Sequence, residues 1–90
     1  MTYRHHSAEL ESQNDNSATY KFTPDSIKME SWGRVKFSLI DYSATVQEYA
    51  EDPDNPKDWQ DNICSALAHK FRKYLENNSG KIPKTIEFIA

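Results

Sequence analysis

From Ala18 the chain alternates with a period of two: Tyr20 and Phe22 fall on one side, Thr19, Lys21 and Thr23 on the other. Such alternation in β-favouring residues describes a strand with one buried face. Pro24, Asp25 and Ser26 end it with turn chemistry. Ile27 and Met29 then alternate with Lys28 and Glu30, which predicts a second strand reaching Trp32, with a turn at Gly33. The third strand has the clearest pattern, with Val35, Phe37 and Leu39 inward and Arg34, Lys36 and Ser38 outward. Ile40 and Tyr42 add apolar groups to its second face. A fourth strand is expected over Val46–Tyr49. Short turns between sequence neighbours favour an antiparallel meander.

The next segment changes character. Pro53 and Pro56 exclude both a strand centre and a helix interior. Asn55 is expected to cap a helix, with Pro56 at its first position and Asp58 near its free N–H groups. The helix should run over 56–77, with Trp59 leading the inward series Ile63, Leu67, Phe71, Leu75. Successive members drift by only about 40°, so they stay on one side. Ala66, Cys64, Ala68 and Tyr74 widen the apolar arc, and Asp61, Ser65, His69, Arg72 and Glu76 fill the wet one. Asn78 or Gly80 should take the left-handed terminating conformation, and Pro83 prevents resumption. Thr85–Ile89 alternates again and is expected to pair inside the sheet.

This pattern predicts an α+β, two-layer domain: an antiparallel sheet of four to five strands with one long helix on one face, in the order β-β-β-β-α-β. Residues 18–90 should form that domain. Residues 1–17 are polar and read as a flexible N-terminal arm, although 7–11 could make a short edge strand or one helical turn.

Composition agrees with a single small domain. Among 90 residues, two Trp, five Tyr and four Phe are enough large side chains to seed a core. Mean hydropathy is −0.89, and no apolar run approaches the roughly 18 residues of a membrane helix. No secretory h-region is visible at the N-terminus. A single cysteine, Cys64, forbids an internal disulfide and suits a reducing cytoplasm.

Charge sharpens the picture. The net value of −3 hides a segregation. Residues 41–61 carry seven acids (Asp41, Glu48, Glu51, Asp52, Asp54, Asp58, Asp61) against Lys57, a net −6. Residues 62–90 carry five bases (Lys70, Arg72, Lys73, Lys81, Lys84) against Glu76 and Glu87, a net +3. The overall sign disfavours nucleic acid and anionic membranes, which need a positive field.

No residue set calls for catalysis. Asp52, Asp54 and Asp58 suggest a calcium loop, but counted from Asp52 the EF-hand glycine position holds Lys57 and the closing glutamate position holds Ile63. His5 and His6 lack a third ligand. Cys64 and His69 project about 140° apart on a helix, so the imidazole cannot activate the thiol. The two glycines are isolated and make no phosphate loop. No enzyme activity, cofactor or metal is expected.

The expected function is therefore a small non-enzymatic protein-binding module of the inhibitor, antitoxin or immunity type. Its acidic 41–61 segment would cover a basic protein partner, through Tyr49, Asp52, Asp54, Asp58 and Asp61. Two other readings stand beside it. The basic C-terminal third could contact nucleic acid if Arg34, Lys36, Lys81 and Lys84 share a surface with Arg72 and Lys73. Alternatively, a homodimer could cover an apolar second sheet face made of Trp32, Ile40, Tyr42, Tyr49 and Ile89.

Overall fold

The computed structural model describes residues 5–24 and 31–89, with 5, 88 and 89 described by backbone alone. The elements are β1 (His5–Gln13), β2 (Ser17–Thr23), β3 (Gly33–Ser38), β4 (Ala44–Glu48), α1 (Lys57–Asn77) and β5 (Thr85–Ile89). The strands form one five-stranded sheet in the spatial order β4-β3-β2-β1-β5. Every neighbouring pair is antiparallel. The β-β-β-β-α-β order is therefore the expected one: a meander, a helix across one face, and a strand that returns beside the first.

The membership of the meander differs from expectation. From residue 5 onward, the anticipated arm is a strand with β2 on one side and β5 on the other. Its inward positions hold His6, Ala8 and Leu10, so its alternation is muted by small and polar groups. Buried His6 donates from Nδ1 to the Pro24 carbonyl at 2.6 Å, which ties β1 to the end of β2. The polar run before Ser17 is a hairpin turn. Asn14 Oδ1 accepts the N–H groups of Asn16 and Ser17 at 2.8 and 2.9 Å, the side-chain mimicry that suits Asn to tight turns. The strand expected through Ile27 and Met29 lies outside the described residues.

Three rings organise the core. Phe37 and Phe71 stack at 5.0 Å between centroids, with Tyr20 at 5.4 Å from Phe37 and 5.8 Å from Phe71. The Tyr20 hydroxyl donates to the Pro83 carbonyl at 2.5 Å, which fixes the segment between α1 and β5. Burial of this phenol pushes its pKa well up. α1 lays Ile63, Cys64, Leu67, Ala68, Phe71 and Leu75 on the sheet. It ends at Asn78, whose N–H bonds the Leu75 carbonyl, and Ser79 and Gly80 carry the left-handed conformation that reverses the chain.

Gly33 opens β3 instead of marking a turn. A Cβ there would lie 2.5 Å from the Glu48 carbonyl oxygen and 2.7 Å from the Phe22 ring. Both neighbours are fixed, one by the ladder and one by the core. Gly33→Ala should cost about 1–3 kcal/mol through overpacking. A thermal melt checks this, and an unchanged midpoint would show that the edge yields.

Among the described residues the second sheet face is polar apart from Trp32, so most of the expected apolar surface is not formed. Register places Glu9, Lys21, Arg34 and Glu48 in one row across β1–β4. Lys21 pairs with Glu9 at 3.3 Å, and Arg34 reaches Glu11 at 2.7 Å and Glu48 at 3.1 Å. Ile40 sits at the tip of the β3–β4 turn, and Tyr42 packs against the core from that turn. Trp32 lies under the Lys21 ammonium at 5.0 Å, while Tyr49 lies past the end of β4. The side chain of Ile89 lies outside the described residues. β5 pairs with β1 along its whole length, as expected of a strand that is not frayed, and forms one edge of the sheet. Alternation reports which face is buried and is silent on how many neighbours a strand has.

Candidate partner-binding site

The acidic segment occupies one side of the molecule. β4 and α1 run past each other there. Tyr42, before β4, lies under Arg72 at 5.2 Å from ring centroid to guanidinium. Tyr49, after β4, donates its hydroxyl to Asp61 Oδ1 at 2.7 Å. Asp41 thus stands at one end of this side. Glu51, Asp54, Asp58 and Asp61 stand at the other.

A buried glutamine holds the acidic loop. Gln60 is 1% exposed. Its Oε1 accepts the Ala50 N–H at 2.8 Å, and its Nε2 donates to the carbonyls of Ala50 at 2.9 Å and Asn55 at 2.8 Å. One side-chain amide therefore satisfies three backbone groups that lie too deep for water, the arrangement that buried polar groups require. Within the loop, Asp52 Oδ1 accepts the Asp54 N–H at 2.9 Å, and Oδ2 accepts from Asn55 Nδ2 at 3.0 Å.

These bonds revise the helix start. Pro56 occupies the cap position, with no side-chain cap, and its carbonyl accepts the Gln60 N–H at 3.0 Å. Asn55 is buried one residue earlier and donates to Asp52. Its Oδ1 accepts nothing among the described residues. The expected Asn55 cap is therefore not formed. The buried face also turns. With Gln60 inward, its neighbour Trp59 is rotated about 100° away and is 46% exposed. Trp59 was expected in the core. The polar backbone of the loop needs an amide at this place, and an indole could not supply its donor and acceptor together.

The five expected site residues divide accordingly. Tyr49 and Asp61 are brought together. Asp54 and Asp58 are exposed, and Trp59 follows Asp58. Asp52 is turned into the loop's own hydrogen bonds and is a structural residue. The hydrogen bond to Asp61 is the main cause that raises the Tyr49 pKa, so this phenol stays protonated and keeps Asp61 in place. Lys57 Nζ lies 5.5 Å from the Tyr49 ring centroid. At the far end, Ser43 Oγ donates to Asp41 Oδ1 at 2.7 Å and holds that carboxyl below the usual range. The pattern-based reading missed Gln60. Its signal was spacing, because it lies four before Cys64 and seven before Leu67.

Cys64 is buried, and burial pushes its thiol up to about 12, with Asp61 contributing. His69 is exposed on the flank of α1 that faces Asp41 and Ala44. Iodoacetamide at pH 8 should leave Cys64 unmodified in the native protein and label it in urea. Rapid native labelling would show that the helix opens locally. The cations proposed to share one surface are split. Arg34 and Lys36 lie on the open sheet face, and Arg72 and Lys73 lie on the helix on the other side. Among the described residues, no helix is long and apolar enough to cross a membrane, and no three His, Cys, Asp or Glu side chains form a metal-holding group. No family model, curated protein or solved structure matches the chain.

Proposed function

We propose that this protein is a non-enzymatic binding module that captures a basic protein partner through Tyr49, Asp54, Asp58 and Asp61, with Trp59 as the apolar anchor. The observation that carries this reading is the exposure of Trp59, 46%, beside a segment of net charge −6. A large aromatic rimmed by like charges matches how interfaces are built: an anchor supplies affinity, and charges supply steering and partner choice. Gln60 supports the same reading, because it holds the acidic loop in one conformation before a partner arrives and so lowers the ordering cost of binding. An inhibitor, antitoxin or immunity protein needs these properties and no catalytic group.

Affinity capture from native lysate at low and at high salt tests this. One specific partner should be retained at low salt and released at high salt, because exposed charges are screened beyond about 8 Å at 0.15 M. Asp58→Asn with Asp61→Asn should weaken retention. A partner held equally by the variant and at high salt would contradict the reading.

A further inference from the structure

We infer that the basic partner docks by adding an extended strand to β4, with its side chains entering the groove between β4 and α1. This rests on the acidic-surface reading above and specifies how that surface is used.

The first observation is the free edge. β4 is the outermost strand of the sheet, paired only with β3 among the described residues. The Ser38 N–H donates to the Ser43 carbonyl at 2.9 Å. Backbone groups alternate in direction along a strand. Ser43 and Thr45 therefore turn theirs toward β3, and Ala44 and Val46 present N–H and C=O outward. Unpaired edges of this kind accept extended peptides in known recognition modes.

The second observation is a groove beside that edge. It has a volume of about 400 Å³ and lies between the β3–β4 turn and the flank of α1. Asp41, Ala44, Ser65, Ala68, His69 and Arg72 line it. Ala44 and Ala68 are small, which leaves room for the inward side chains of an added strand. β4 is five residues long, so the added segment would be of similar length.

The third observation is charge. Asp41 stands at one end of β4, and Asp61 stands beside Tyr49 at the other. Arg72, the cation in the groove, is occupied by Glu76 at 3.2 Å and by the Tyr42 ring. The opposite edge, β5, follows Lys81 and Lys84. Of the two sheet edges, a basic segment therefore favours β4. A second copy offering its β5 would join head to tail, which builds rings or open filaments and no two-fold pair; a separate basic segment avoids this.

The test uses a nine-residue capped peptide of alternating lysine and valine, whose register can slip to present either side chain to the groove. Its control carries the same sequence N-methylated on every residue, which keeps the charge and removes strand pairing along both edges of the peptide. The parent peptide should bind the full chain at low salt, and the control should bind about ten-fold or more weakly. At saturation, amide exchange at Ala44 and Val46 should slow at least about ten-fold, with Thr45 little changed. Equal binding of both peptides, or binding without protection at Ala44 and Val46, would overturn strand addition and leave charge capture of the partner standing. No binding of the parent peptide would also overturn it, and the lysate capture decides the parent reading separately. Sedimentation of the chain alone completes the test. An oligomer with Ala44 and Val46 already protected would place a second copy on this edge and overturn the proposal.

Discussion

Gln60→Ala is expected to destabilise the protein by about 3 kcal/mol or more. The substitution leaves the Ala50 N–H and the carbonyls of Ala50 and Asn55 without the partner they have at 2.8–2.9 Å. Each buried polar group stripped of its partner costs about 1–3 kcal/mol, and the lost side chain leaves a cavity as well. Domains of this size hold only about 5–15 kcal/mol in total, so the change removes a large share. The effect should also be local. The Tyr49–Asp61 contact spans this loop, so the Tyr49 resonances should shift toward those of a free phenol. Urea denaturation measures the first effect, and a loss below about 1 kcal/mol would mean that the loop is held by other contacts.

Phe71→Ala is the second large effect, at about 3–5 kcal/mol. Phe71 is fully buried and packs on Phe37 and Tyr20 at 5.0 and 5.8 Å. It is the contact through which α1 grips β2 and β3. At about 4–8 °C per kcal/mol for a domain of this size, the melting midpoint should fall by more than about 12 °C. Trp59→Ala should cost clearly less, because half of the indole is already in water. If the two variants melt together, Trp59 belongs to the core and the rotated helix face is wrong.

That contrast shows what was legible in the chain. Trp59 and Phe71 stand in the same four-residue series, and apolar character alone ranks them alike. What separates them is the loop before the helix, whose buried carbonyls require Gln60 to face inward. No periodicity records a requirement set by another segment's backbone. β1 was hidden for a related reason. Its inward residues include His6 and Ala8, which bury well but carry little hydrophobic signal. Its place between β2 and β5 comes from register and from the Asn14 turn. By contrast β2, β3 and α1 were readable because their inward positions hold large apolar groups at strict spacing. The acidic segment was legible as composition, since seven acids fall within 41–61. Its division into structural Asp52 and outward Asp54, Asp58 and Asp61 depends on hydrogen bonds that sequence does not show.

The most direct test of the account is the salt dependence of affinity between the purified chain and the partner it captures, measured by titration calorimetry for the wild type and for Asp58→Asn with Asp61→Asn. The wild type should bind tightly at low salt and weaken steeply as salt rises, while the variant should bind more weakly at low salt and with a shallower slope. Identical affinities and slopes for the two proteins would contradict it.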